Sequence, residues 1–227
     1  MVTLQQISDK LDECVVGGRC RVPKTGQTGC YDEDGDPIDC VGTGQDGEYQ
    51  TGVSVDPRFT DNGDGTATDN LTGLTWLQDA NCFGLRNWTS AVSDANTLAD
   101  GSCGLRDESL PGEWRLSNVK EFLSLIDYSQ WSTGPPVGHP FSGVQSGGYW
   151  SSTSGTLFPG HGWLVILGGG QVGLLPKTEI FHVWPVRDGP DPPTCVPTHQ
   201  KEKGPRCSDG LDNDCDGMVD GEDPDCL

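Results

Sequence analysis

The most unusual hydrophobic pattern in this chain lies in residues 162–167, which read Gly-Trp-Leu-Val-Ile-Leu. As a strand, this run places Trp163 and Val165 on one face and Leu164 and Ile166 on the other. A half-buried strand normally alternates apolar with polar residues, whereas both faces of this one are apolar. Two explanations are open: other elements cover both faces, or one face presents an apolar surface to a binding partner.

Other strands are predicted before and after this run. Turn signals at 62–65 and 70–73 interrupt strand-prone residues and predict a three-stranded meander over 58–78. Short apolar and aromatic runs predict further strands at 148–153, 170–175, 180–182 and 183–187.

Two helices are predicted in the middle of the chain. The first covers about 88–99 and has Asn87 as its N-cap. The second covers about 119–127, where Asn118 and Glu121 have the spacing of a capping box. Helices between two groups of strands indicate the α+β class.

Composition indicates one sizeable core with many loops. Only 33% of the 227 residues are hydrophobic, and the chain has 33 Gly and 16 Pro. No apolar run approaches the ~20 residues of a transmembrane helix, so we expect no transmembrane segment.

The net charge of −20 is concentrated in two segments. Residues 31–48 and 207–227 are rich in Asp and Glu and contain no Lys or Arg. Such a field repels nucleic acid, anionic membranes and sulfated sugars, and it favours divalent cations.

Ten cysteines indicate an oxidised, exported protein. The absence of any Cys-x-x-Cys and the presence of only four His argue against a structural zinc site. Local spacing suggests the pairs Cys14–Cys20, Cys30–Cys40 and Cys82–Cys103, with the last four paired among themselves, although sequence does not fix connectivity. We expect a secreted or cell-surface protein whose leader is absent from this sequence, because no signal peptide is visible.

Several motifs, in order, resemble the Lcl C-terminal-like domain family. They are residues 23–28 and 58–66, Asp69-Asn70-Leu71-Thr72-Gly73-Leu74-Thr75-Trp76, Trp114-Arg115-Leu116-Ser117-Asn118, Tyr149-Trp150-Ser151-Ser152-Thr153 and Trp184-Pro185-Val186-Arg187. Ser117 departs from the family, which usually has Pro there. The resemblance covers about 23–187 and implies a C-type-lectin-like domain with two helices and a small antiparallel sheet, in bacterial surface or secreted proteins.

The resemblance also implies a ligand-binding role. Some relatives are adhesins that bind polyanionic sugars, which the net charge of this chain disfavours. Others resemble variable proteins of diversity-generating retroelements, in which positions near the C-terminal end of the fold are randomised. In this chain the family framework would be Trp163, Val165, Gly170, Val172, Lys177 and Trp184. The intervening candidate ligand contacts are Leu157, Phe158, His161, Leu164, Ile166, Leu167, Gln171, Leu174, Leu175, Glu179, Phe181 and His182. The alternative is that these side chains complete the core or a subunit contact.

The C-terminal segment carries a calcium-loop pattern. Carboxylates fall at positions 1, 3, 5, 9 and 12 of an EF-hand-type loop with Gly217 at position 6, and position 7 supplies a backbone carbonyl. The ligand set is Asp212, Asp214, Asp216, Met218, Asp220 and Asp223. The segment also resembles the Cys-bracketed MopE-type metal-binding motif, and its hard oxygen ligands favour calcium as the cofactor. A weaker acidic pattern at 32–36 is interrupted by Pro37. We interpret it as a solvated acidic turn, with metal binding as the alternative.

Four segments are predicted. They are an amphipathic helix and Cys-rich arm at 1–22, the Lcl C-terminal-like domain at 23–187, a linker at 188–206 and the calcium motif at 207–227. A disulfide-rich arm thus precedes the main domain and a small calcium-loop tail follows it.

Three function classes are compared. The first is an adhesin- or receptor-type binding protein for a surface ligand, with a protein ligand favoured over a glycan. The second is a structural subunit that forms a homo-oligomer through the apolar 157–182 face. The third, an enzyme, is suggested by formylglycine-generating enzymes, which share the implied fold class. We expect no enzyme, because Cys82 and Cys103 have the spacing of a disulfide and the His residues lack partners at motif spacing.

Overall fold

The three-stranded meander predicted over 58–78 is confirmed. A computed structural model describes residues 22–129 and 134–189, and in it the meander comprises β3 (Phe59–Asp61), β4 (Thr66–Asp69) and β5 (Leu74–Leu77). Two glycines shape the first turn, and at position 65 no residue with a side chain would fit. The φ of Gly65 is +90°, and a Cβ would lie 2.5 Å from the carbonyl oxygen of Gly104.

Two later strands extend this meander into a five-stranded sheet. β12 (Pro185–Asp188) pairs antiparallel with β5 and with β7 (Arg115–Leu116). The strand order is β3-β4-β5-β12-β7. The sheet therefore brings together the motifs at 69–76, 114–118 and 184–187, which lie in different halves of the chain.

A second five-stranded sheet carries the apolar runs. Its strands are β6 (Leu85–Asn87), β8 (Gly148–Ser154), β9 (His161–Ile166), β10 (Gln171–Pro176) and β11 (Ile180–His182). The order is β10-β9-β8-β11-β6, with β8 and β11 parallel and the other pairs antiparallel. A hairpin of β1 (Cys30–Tyr31) and β2 (Pro37–Ile38) lies nearer the N-terminus.

The prediction of one small antiparallel sheet was wrong. Strands of two or three residues, such as β6 and β7, are too short to show a period of two, so the sequence could not reveal that they enlarge both sheets.

Three helices occur in the described residues, and both predicted helices are among them. α1 (Asp46–Tyr49) was not predicted, whereas α2 (Trp88–Thr97) and α3 (Val119–Leu123) were. The Asn87 side chain caps α2, and Asn118 and Glu121 form the expected capping box of α3. α3 ends earlier than predicted because the next residues make i→i−3 hydrogen bonds, as from Leu125 to Phe122.

The main core draws large aromatic side chains from both sheets. Trp184 forms ring contacts with Trp76, Phe122, Phe141 and Tyr149, and its Nε1 donates to the carbonyl of Leu77 at 2.8 Å. A second cluster lies between α2 and the second sheet. It contains Ala91, Ala95, Leu116, Trp150, Leu164 and Val183.

Two predicted disulfides are confirmed, Cys30–Cys40 and Cys82–Cys103. They are consistent with an extracellular or surface protein. The pair Cys14–Cys20, the last four cysteines and the predicted helix in segment 1–22 lie outside the described residues. No helix within residues 22–129 and 134–189 has the length and apolar character needed to cross a membrane.

Within residues 22–129 and 134–189, mostly β structure with three short helices is consistent with the α+β class. The finer assignment, a C-type-lectin-like fold, stays a prediction. The described residues belong to one compact unit, Val22–Gly189.

Candidate ligand-binding site

The twelve candidate ligand contacts lie in one region of the second sheet, but on both of its faces. They occupy the loop between β8 and β9, the strands β9, β10 and β11, and the turns between them. Cross-strand register places Leu174 opposite Trp163 on one face. It places Gly173 opposite Leu164 on the other face. The twelve residues therefore do not form one continuous surface.

Two of the twelve belong to the interior, and this corrects the prediction of an exposed role for them. Leu164 has no exposed surface and packs in the cluster beneath α2, while Leu167 is 2% exposed and joins the main core. Val165, which alternates with Leu164, is also fully buried. β9 is thus covered on both faces, which resolves the apolar pattern of residues 162–167.

Three further candidates are partly buried and have partners within the domain. Ile166 and Phe181 pack against the α2 cluster, and the Phe181 ring lies 4.9 Å from the Trp150 ring. His182 places Nδ1 2.9 Å from the Asn81 side-chain oxygen and stacks 5.2 Å from Tyr149. These contacts restrict how freely the three side chains could vary.

Burial shifts the acidity of the titratable rings in this region. Desolvation lowers the pKa of His182 below its ordinary value of 6.5, and it lowers the pKa of His139 in the same direction. Desolvation also raises the pKa of Tyr149 to about 12, although the backbone N–H of Gln145 donates to its hydroxyl and opposes this. At neutral pH these groups are therefore uncharged.

Four candidates lie near one end of the sheet, of which Leu157 and Phe158 are exposed while His161 and Leu174 are half-buried. Leu157 and Phe158, in the loop between β8 and β9, are 87% and 57% exposed. The Phe158 ring lies 5.7 Å from the ring of His161. A Cβ at Gly155 would lie 3.0 Å from the Leu174 side chain, so this loop packs against β10. We call Leu157, Phe158, His161 and Leu174 the apolar patch.

The apolar patch contains one polar atom that the fold does not satisfy. His161 Nδ1 is buried and has no hydrogen-bond partner in the described residues. Most buried polar atoms in proteins are paired, so this unsatisfied atom is an unusual feature of the apolar patch.

The segment that contains the apolar patch is nearly neutral. Residues 155–182 contain a single Lys and a single Glu, although the whole chain has a net charge of −20. Lys177 is held within the fold: its Nζ donates to Ser154 Oγ at 2.7 Å and lies 3.9 Å from the Trp88 ring centroid. This agrees with a framework role for Lys177.

The other exposed candidates lie on β10 and after it. Gln171, Leu175 and Glu179 are exposed. Gln171 and Leu167 also line a cleft of about 370 Å³. Its remaining described lining residues are Ile126, Asp127, Tyr128 and Gly168, Gly169 and Gly170.

Sequence reasoning missed two exposed apolar residues. Val172, assigned to the framework, is 41% exposed, and Ile180 is 56% exposed. No local signal identifies them, because their exposure follows from the positions of β10 and β11 in the sheet.

The predicted calcium ligands at 212–223 lie outside the described residues. In the weaker acidic segment, Asp32 Oδ1 accepts the backbone N–H groups of Asp34 and Asp36, which closes a turn. Within the described ranges, no group of three or more His, Cys, Asp or Glu side chains is placed to hold a metal ion.

Comparison with known protein families gives a match. No curated protein is significantly similar to the chain. A family model described as the Lcl C-terminal domain matches residues 65–187. This range is more than half of the 227 residues, and it includes the candidate ligand contacts and every strand from β5 to β11. The chain therefore belongs to the Lcl C-terminal domain family.

Proposed function

We propose that this protein is an exported, non-enzymatic binding protein whose apolar patch contacts a ligand at a surface. The observation that carries the proposal is a pair of exposed apolar side chains, Leu157 and Phe158, on a strongly acidic protein. Membership of the Lcl C-terminal domain family supports a surface or ligand-binding protein. An exposed apolar surface with a polar surround is typical of interaction sites.

The chemistry of the patch favours a protein ligand. Leu157 and Phe158 offer aliphatic and aromatic area, which gains free energy when it is removed from water. The acidic segments of the chain would repel a polyanionic sugar. A neutral or basic protein surface with an apolar centre fits both features.

We further propose that the exposed candidates are positions of diversification. Leu157, Phe158, Gln171, Leu175 and Glu179 have exposed side chains, so substitutions there leave the core unchanged. Surface substitutions away from caps, buried pairs and packed side chains usually change the free energy of unfolding by about 0.5 kcal/mol or less. The fold would therefore tolerate many ligand specificities at these positions.

Sequencing this gene across many isolates tests the proposal. We expect substitutions to concentrate at the five exposed positions, while Leu164, Val165 and Leu167 stay fixed as matched core positions within the same segment. Variation spread evenly over residues 154–182, or its absence, would overturn the diversified surface and leave an ordinary adhesin or an assembly domain.

The metal proposal rests on the sequence of the C-terminal segment. Asp212, Asp214, Asp216, Asp220 and Asp223 supply carboxylates and Met218 a carbonyl oxygen, a donor set that suits calcium. Bound calcium would stabilise this small segment together with its disulfides.

A structural, self-assembling subunit is the second candidate function. The same exposed apolar residues would favour it, since burial between copies also removes them from water. Assembly through the apolar patch requires oligomers that dissociate when Leu157 and Phe158 are replaced by polar residues. A monomeric mass for the unaltered protein would exclude it.

A further inference from the structure

The free edge of β10 differs from the other edges of the two large sheets. β6, β3 and β7 are two or three residues long and carry Arg86, Asp61 and Arg115 respectively. Short length and charge are two devices by which proteins prevent edge-to-edge pairing. β10 has six residues, of which Gln171–Leu175 contain neither charge nor proline. It pairs with β9 along its whole length without a bulge.

The register shows which backbone groups of β10 face outward. The backbone N–H of Lys177 donates to the carbonyl of Gly160 at 2.9 Å, so these two residues form a hydrogen-bonded pair. Pairs alternate along an antiparallel ladder, so Gln171, Gly173 and Leu175 bond to β9. The N–H and C=O groups of Val172 and Leu174 consequently point away from the sheet. No backbone partner for these groups lies within the described residues.

We propose that a second copy of this chain pairs with this edge, β10 against β10 and antiparallel. A two-fold axis between the two Gly173 residues sets Val172 of each copy opposite Leu174 of the other. Every outward N–H and C=O of these residues then has a partner, which makes the edge self-complementary. The inference concerns backbone pairing at β10. It shares Leu174 with the apolar patch, but it does not depend on the ligand proposed for that patch.

The side chains are compatible with this register. Val172 and Leu174 lie on one face of the sheet, where they would form apolar cross-strand pairs between the copies. Gly173 lies on the other face, at the position where paired strands approach most closely. The nearest charged residue along the chain, Lys177, lies beyond Pro176 and outside the paired segment.

Charge gives the dimer a recognisable salt dependence. Each copy has a net charge of −20, so association brings two strongly negative molecules together. The paired segment itself contains no ion pair for salt to weaken. Added salt screens the general repulsion, so we expect dimerisation to strengthen as ionic strength rises.

Sedimentation velocity of the whole chain over a range of concentrations tests the proposal. We expect a monomer–dimer equilibrium that shifts to the monomer in Val172→Pro. Proline removes the outward N–H at a site where an edge strand tolerates it. The matched control Val172→Thr keeps the N–H and the branched shape, and it should dimerise within a fewfold of the unaltered chain.

Other variants keep the test decisive. If Val172→Pro fails to fold, Val172→Lys places a charge beside the pairing line and should also give monomers. Phe158→Ser, which changes only the apolar patch, should leave the dimer intact. A monomer at all concentrations, a dimer that withstands both Val172→Pro and Val172→Lys, or a dimer that weakens with salt would overturn the proposal.

Discussion

A buried ion pair holds the meander to the rest of the domain. Arg58 donates to both carboxylate oxygens of Asp69, at 2.7 and 2.8 Å, and the Asp69 side chain has no exposed surface. Arg58 also donates to the carbonyl of Ser124, while Leu71 and Thr72 donate to Asp69. One charged pair thus joins β4 to the end of α3 and closes the turn before β5.

Arg58→Ala should be strongly destabilising, because it leaves the Asp69 carboxylate buried without its counter-ion. We expect a loss of about 3–5 kcal/mol in the free energy of unfolding, measured by urea denaturation. The matched control is Arg86→Ala, which breaks the more exposed pair with Asp94 and should cost about 0–1 kcal/mol. Similar losses in both variants would contradict the structural role of Arg58.

His182 should make the protein sensitive to acid. Its pKa is lowered in the folded state by desolvation, so the unfolded chain binds protons more readily. The contribution of His182 to the free energy of unfolding is therefore fully present above pH 6.5 and is lost as the pH drops below that value. In the variant His182→Gln the free energy of unfolding, measured by denaturation at each pH, should fall less between about pH 7 and about pH 5. His139→Gln should also reduce the fall, and unchanged slopes in both variants would contradict this account.

At the scale of single elements, β9 shows where sequence reasoning succeeds and where it ends. The run at 162–167 predicted a strand correctly, since a period of two is a local property. Which neighbours cover its faces depends on residues far away in sequence, such as Ala91 and Ala95 of α2. For that reason Leu164 could be assigned to a binding surface from the sequence, although it lies in the core.

Other features also divide into those that local sequence predicts and those that depend on distant residues. The Asn87 cap, the capping box of Asn118 and Glu121 and the disulfide Cys82–Cys103 depend on short spacings, and all were predicted. The parallel pairing of β11 with β8 and the exposure of Val172 depend on strand order. Only part of the candidate site was therefore accessible from the sequence, namely the segment that contains it.

Leu164→Ala should therefore behave as a core substitution. We expect a loss of about 2–5 kcal/mol in the free energy of unfolding, because the change leaves a cavity between β9 and α2. Leu157→Ala, the same substitution at an 87% exposed site, should cost about 0.5 kcal/mol or less. Chemical denaturation of the two variants distinguishes these outcomes. A small loss of stability in Leu164→Ala would indicate that Leu164 belongs to the candidate binding surface.

At the scale of the whole molecule, charge separates two kinds of surface. The acidic segments 31–48 and 207–227 suit cations, whereas residues 155–182 have one charge of each sign. In the first acidic segment, Glu48 accepts the backbone N–H groups of Gly42 and Gly44, and these bonds lower its pKa. The carboxylates of Asp32 and Glu48 are thus already engaged by the fold, and the C-terminal segment is the place where we expect calcium to act.

Calcium binding should therefore depend on the C-terminal segment alone. In isothermal titration calorimetry the unaltered chain should bind calcium with an affinity like that of extracellular modules, a Kd of about 10⁻⁴–10⁻³ M, because position 12 is Asp rather than Glu. The double variant Asp212→Ala, Asp216→Ala should show no heat of calcium binding, and EGTA should abolish that heat in the unaltered chain. Asp34→Ala, which removes a carboxylate from the other acidic segment, should bind as before. Binding that survives in the double variant but is lost in Asp34→Ala would assign the metal to residues 32–36, where the Asp32 carboxylate would have to exchange its turn-closing hydrogen bonds for the ion.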